Sequence, residues 1–309
     1  MIVRRMIVAV FALIAALAPV RAEVVAVKAG LLIDGTGAPP KKNQVVAVEY
    51  GKIVSIGTVV PKGATVIDLG DRTLLHGFID CHVHLAGRVI GEGDNWDDAA
   101  GAQQYDDEEL KVLVGEAHLT ERKVAAHAHG AEGIKAALRA GVDSIEHGSM
   151  TDDEAIALFK KTRAFLVPTL MAQESVEKLA RSGVLKGERA EKALFIAPRA
   201  RENVKKAIAA GVKIALGTDS VVFPHGKNAH EFELMVGLGM TPMNATLAGT
   251  KNAAELLGLE KTLGTVEAGK TADLVAVDGN PLDAVTTLTA PAFVMHEGKV
   301  VTAPAKLLR

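Results

Sequence analysis

Leu74-Leu75-His76-Gly77-Phe78-Ile79-Asp80-Cys81-His82-Val83-His84 is the stretch on which the fold turns: a short apolar run that ends in two histidines two positions apart. Side chains two apart on an extended chain point the same way, so His82 and His84 can chelate one ion. The pattern recurs downstream. The run 123–128 carries His127 and is followed by His129, the run 143–146 ends at His147, and the run 212–217 leads into Thr218-Asp219-Ser220. A further apolar run covers 164–170, and helical periodicity covers 131–140, 152–161, 188–210, 229–237 and 241–257. Short apolar strands spaced by helices predict parallel β/α units of the (β/α) barrel type, whose active sites gather at the C-terminal strand ends. One histidine at a strand end is most often solvated or hydrogen-bonded. Four strand ends carrying His, His, His and Asp point instead to a metal site, because neutral imidazole and carboxylate are ligands that zinc accepts.

Outward from this body the pattern changes. Apolar segments at 24–29, 31–33, 45–49, 53–56, 64–69 and 73–75 are separated by turns such as Asp34-Gly35-Thr36-Gly37 and Tyr50-Gly51-Lys52, a hairpin signal. The C-terminus repeats this at 272–277, 293–296 and 299–302 around Glu297-Gly298. The expected organisation is a small composite β-sandwich from 23–73 and 264–309, with an incomplete (β/α) barrel over 74–263 inserted between its halves. Residues 1–22 read as a signal peptide: Arg4 and Arg5, an apolar run from Met6 to Val20, then Arg21-Ala22. Export, to a bacterial periplasm, is the expectation.

Composition sets the outer limits. With 49% hydrophobic and 23% charged residues over 309 positions, the chain is globular rather than disordered. Lys+Arg total 35 against 37 Asp+Glu, so no overall charge points to nucleic acid or an anionic membrane. Aromatics are only 4%, which predicts an aliphatic core, and the single Cys81 excludes an intrachain disulfide or a Cys-cluster metal site.

At these residues the sequence resembles the amidohydrolase superfamily, in its imidazolonepropionase-like and Xaa-Pro dipeptidase-like branch. The matching stretches are Gly77 to His84, Val124-Ala125-Ala126-His127-Ala128-His129-Gly130, Ser144-Ile145-Glu146-His147-Gly148 and Leu216-Gly217-Thr218-Asp219-Ser220. Thr241-Pro242 with Asn252-Ala253-Ala254-Glu255, and the run from Gly264 to Val275, continue the likeness. The resemblance implies a divalent-metal hydrolase of one or two ions, most simply zinc. It implies His82 and His84 as first-strand ligands, His127 and His147 as fifth- and sixth-strand ligands, and Asp219 as ligand and general base toward a metal-activated water. His127 is preferred over His129 because it ends the strand proper.

One departure is large. Only 42 residues separate His84 from His127, and a βα unit takes about 30 or more, so three expected barrel units cannot all fit. The segment Gly101 to Gly115 and a helix over 106–118 resemble what precedes the fifth strand, which places the gap after His84. Lys111 and Lys123 sit on a helix and at a strand start, so no carboxylated bridging lysine is assigned. A mononuclear site on His82, His84 and Asp219 is then the simpler expectation, with open strand edges that favour pairing or a homo-oligomer. The loop 221–230 offers His225, Lys227 and Asn228, with His129, for substrate binding; an ordinary polar loop is an equal reading. The expected activity is cleavage of a C–N bond in a small carboxylated amide, such as an Xaa-Pro dipeptide or N-acyl amino acid. A catalytically inactive metal- or ligand-binding remnant and a mononuclear deaminase are the alternatives.

Overall fold

In the computed structural model, residues 24–84, 103 and 105–304 are described. The expected signal peptide, the segment following His84 to which the missing units are assigned, Gly101 and Gln104, and residues 305–309 lie outside the described residues. Five strands come first: β1 (Val25–Leu32), β2 (Lys41–Glu49), β3 (Lys52–Gly57), β4 (Thr65–Asp68) and β5 (Thr73–His76). Helix α1 (Asp107–Leu119) leads into β6 (Ala125–Ala128), α2 (Ala131–Ala140), β7 (Ser144–His147), α3 (Asp153–Thr162) and β8 (Phe165–Val167). Five helices follow: α4 (Leu170–Arg181), α5 (Gly187–Ala209), α6 (His230–Gly237), α7 (Pro242–Ala248) and α8 (Lys251–Leu256). The last strands are β9 (Leu274–Val277), β10 (Phe293–His296) and β11 (Lys299–Thr302).

Strands from both ends of the chain share one eight-stranded sheet, in the order β11-β10-β9-β5-β1-β2-β3 with β4 beside β1. The joint is β5 against β9, antiparallel from Thr73↔Val277 to His76↔Leu274. Alternation sends Leu74, Leu274 and Ala276 into a core with Val27, Val46, Ile53 and Phe293. Their neighbours Leu75, Val275 and Val277 enter a second core with Ile134, Leu138, Phe159 and Phe232. Both faces of the joint are therefore buried, which is why these strands read as continuous apolar runs rather than alternating ones. Each fully buried Val, Leu, Ile or Phe among them contributes about 1.5–3 kcal/mol.

The α/β body is built on the parallel sheet β6-β7-β8. The arc continues without further regular strands. Leu166 bridges Ile214, with Ala215 N donating to Leu166 O, and Val83 bridges Ser220 in parallel, with Cys81 N donating to Leu216 O and His84 N to Ser220 O. Five lines of chain thus lie side by side: 125–128, 144–147, 165–167, 213–216 and 81–84. Among the described residues the arc does not close.

Several expected boundaries move. The strand expected over 74–80 divides: 73–76 joins the large sheet, and the chain then crosses to the arc, pinned by Gly77 N to Asp273 O and Ile79 N to Gly249 O, both 2.8 Å. The strand expected over 212–217 is only a bridged segment. The run 164–170 is strand for three residues, after which Thr169 turns left-handed (φ 46°) and α4 begins. The single helix expected over 241–257 is two, because Gly249 ends α7 where Phe232 packs against the backbone; a Cβ there would lie 2.5 Å from that ring.

Candidate metal centre and active site

The rim of the arc brings the strand-end residues together as two overlapping donor sets. One is His82, His84 and Asp219; the other is His82, His127 and His147. Within each set the donor atoms lie within 4.8 Å of one another. His82 belongs to both. Its Nε2 is 3.5 Å from Asp219 Oδ1, which is 3.0 Å from His84 Nε2. His127 Nδ1 and His147 Nε2 are 3.0 Å apart. An ion bound at about 2.0–2.1 Å by four ligands needs donor atoms about 3.3 Å apart, so these separations and this imidazole–carboxylate chemistry fit a divalent metal.

Local backbone geometry aims the side chains. His147 has φ 70° and Asp219 φ 56°, left-handed values that L residues adopt at a cost of about 1–3 kcal/mol. In β7, Ser144 and Glu146 share a face, and alternation alone would send His147 to the opposite one. The left-handed turn at the strand end brings it to His82 and His127, with the His82 ring centroid 5.2 Å away. Asp219 is held by its own N–H, which donates to His82 O at 2.7 Å. Gly217 lets the two chains approach: a Cβ there would lie 2.3 Å from Val167 Cγ1 and 2.8 Å from His82 Cβ.

Electrostatics divides the imidazoles. Burial disfavours the His82 cation, but Asp219 and Glu146 outweigh that and raise its pKa to about 9. Burial, reinforced by the surrounding imidazoles, holds His147 well below the usual histidine range, and burial with the nearby His82 lowers His127. These two are thereby favoured in the neutral form that a ligand needs, whereas His82 would give up its Nε2 proton to an ion. Burial opposes ionisation of Asp219, yet hydrogen bonding and charge from His82, then His84 and His127, hold its pKa below the usual carboxylate value.

The partners behind the donor atoms carry no sequence signal of their role in the spacing of the histidines. Glu146 is buried; its Oε2 lies 2.7 Å from His82 Nδ1 and its Oε1 accepts from Ser144 Oγ at 2.6 Å. His147 Nδ1 pairs with Thr169 Oγ1 at 2.7 Å. Asp80 accepts from His82 N, Thr218 N and Thr218 Oγ1 at 3.2, 3.0 and 2.6 Å. A carboxylate one place before a strand-end histidine, as in Glu146-His147, was the available signal.

The expected substrate-binding residues are placed differently from one another. His129 stacks on His147, ring centroids 4.6 Å apart, with Nδ1 2.9 Å from Ser149 Oγ. His225 Nδ1 pairs with Ser220 Oγ at 3.0 Å, and Lys227 is exposed on the same loop. Asn228 points inward, its Nδ2 donating to Asp80 Oδ2 at 2.7 Å and Thr218 Oγ1 at 3.1 Å.

Comparison with known proteins places this geometry. The ochratoxinase of Aspergillus niger is 38% identical over 219 residues, which are 70% of this chain and 44% of that protein. The imidazolonepropionase of Shouchella clausii is 32% identical over 141 residues, 43% of this chain and 31% of that protein. The chain therefore spans less than half the length of these curated relatives. The crystal structure of a Xaa-Pro dipeptidase with methionine bound in its active site superposes with a TM-score of 0.82 at 27% identity, covering 91% of this chain and 100% of that one. The amidohydrolase family profile matches residues 96–302, more than half of the chain. On that match, and with the strand-end histidines in place, the chain belongs to the amidohydrolase family.

Proposed function

We propose that this protein hydrolyses a C–N bond in a small carboxylated amide, using one divalent metal, most simply zinc, held by His82, His84 and Asp219 and completed by His127 or His147. The observation that carries the reading is the sharing of His82 between the two donor sets. Its Nδ1 is spent on Glu146, so only Nε2 remains for an ion. When bound, a divalent ion supplies Lewis-acid polarisation of a carbonyl and makes water more acidic. The chain's own groups do the rest. Asp219 accepts the proton of the attacking water as its oxygen adds to the carbonyl carbon, then returns that proton to the amine nitrogen as the C–N bond breaks. The imidazole of His129, stacked on His147, donates a hydrogen bond to the carbonyl oxygen. Lys227 and His225, on the loop after Asp219, pair with the substrate carboxylate.

The relatives support an amide substrate: one is named a Xaa-Pro dipeptidase and one an ochratoxinase. Export is part of the same reading and rests on the basic and apolar pattern of residues 1–22. The test is amine release from Xaa-Pro dipeptides and N-acyl amino acids by the metal-loaded chain. Turnover of either class supports the proposal. Metal binding without turnover of either would instead establish a binding remnant, and release of ammonia in place of an amino acid would establish a deaminase.

A further inference from the structure

Helix α4 starts without the cap its sequence offers. Thr169 occupies the N-cap position, where a threonine hydroxyl normally accepts from the first-turn N–H groups, but it makes no such bond. Its hydroxyl is turned to His147 Nδ1 instead. The orphan donors are met from another helix: Glu231, on the first turn of α6, accepts from Leu170 N at 2.7 Å and Met171 N at 2.8 Å. Glu231 is 0% exposed, and its carboxylate accepts from both of these N–H groups. Burying a carboxylate is costly, so this one has a specific use: it caps α4 and leaves Thr169 to hold His147.

The same segment reaches the other half of the site. Asn228, three residues earlier, donates to Asp80 and Thr218, and Asp80 in turn accepts from the backbone N–H of His82 and of Thr218, next to Asp219. The Glu231 N–H donates to Asn228 O at 3.1 Å, which joins the two arms. We propose that the segment from Asn228 to Glu231 is a clamp that sets the spacing of the two donor sets, Glu231 positioning His147 through Thr169 and Asn228 positioning His82 and Asp219 through Asp80 and Thr218. Neither touches an ion or substrate; both are positioning residues. The clamp explains why Asn228, in a polar loop at the rim, faces inward.

The proposal rests on the metal reading above, and its test separates the two. Metal-free protein is titrated with Co²⁺ and followed by visible absorption, which reports coordination geometry, alongside thermal unfolding. Native protein gives a saturable Co²⁺ spectrum; failure to do so removes the metal reading itself. Glu231→Gln and Asn228→Ala each weaken Co²⁺ binding about tenfold or more and alter the spectrum. Glu177→Gln serves as the control on α4, where Glu177 pairs with Arg181 and Arg201; it lowers the melting temperature and leaves affinity and spectrum unchanged. Should Glu231→Gln fail to fold, Thr169→Val replaces it as the weakened variant, with Thr169→Ser retaining native binding. Native Co²⁺ affinity and spectrum in Glu231→Gln, or in Thr169→Val, overturns the clamp while leaving the metal site intact.

Discussion

Glu146 Oε2 and His82 Nδ1 lie 2.7 Å apart with both side chains buried, so the carboxylate keeps a proton on Nδ1 and leaves Nε2 to face Asp219. Carboxylates behind ligating histidines typically account for 10–100-fold in metal affinity. Glu146→Gln keeps the shape and loses the charge. It is expected to weaken zinc binding about tenfold with little change in far-UV circular dichroism, measured by competition with a chromophoric chelator. Unchanged affinity would show that the pair serves packing alone.

Asp219 carries the proton transfer in this account, and its left-handed backbone is pinned by its own N–H rather than by its carboxylate. Asp219→Asn is therefore expected to remove at least about a hundredfold of kcat while the melting temperature stays within a few degrees. Retained turnover would assign the base elsewhere.

Gly217 marks where the arc is tightest. Gly217→Ala forces a methyl against Val167 and His82, and overpacking of this kind costs about 1–3 kcal/mol. Urea unfolding should show that loss, and metal affinity should fall with it because the displaced side chain is His82. Stability loss with native affinity would mean that the arc yields at Val167 alone.

His76 supplies a pH test away from the metal centre. It is 1% exposed, and it ties the two chain ends together: Nδ1 lies 2.7 Å from Gly77 O and Nε2 accepts from Gly264 N at 3.0 Å. Burial lowers its pKa below 6.5, although the Gly77 bond and Asp273 pull the other way. The unfolded chain thus binds the proton more readily than the folded one. The stability His76 contributes is complete above about 6.5 and is lost as pH falls through that value toward its folded pKa. The stability difference between native protein and His76→Gln should shrink over that interval in urea unfolding. A difference independent of pH would contradict a buried neutral imidazole.

Much of this arrangement was legible in the sequence, and the exceptions have physical causes. Helix α2 and strands β10 and β11 fall at the expected residues because Gly141 in the left-handed conformation and the Glu297-Gly298 turn end them sharply. The gathering of His82, His84, His127, His147 and Asp219 followed from parallel strands sharing one rim. Helix α4 was missed because its first residues, Leu170-Met171-Ala172, extend an apolar run, and a left-handed threonine marks no boundary in sequence. Glu146, Asp80 and Glu231 were missed for a common reason. Their roles depend on partners 60 or more positions away, and spacing along the chain does not encode such pairs.

A single divalent ion held through His82, by imidazoles from separate strand ends and one carboxylate, is what the proposed chemistry requires. Metal content of the purified protein after dialysis against zinc-buffered solution, determined by elemental mass spectrometry beside the His82→Ala variant, tests it most directly. The expected result is one equivalent per chain in the native protein, lost in the variant. No retained metal in the native protein, or a full equivalent surviving in His82→Ala, would contradict it.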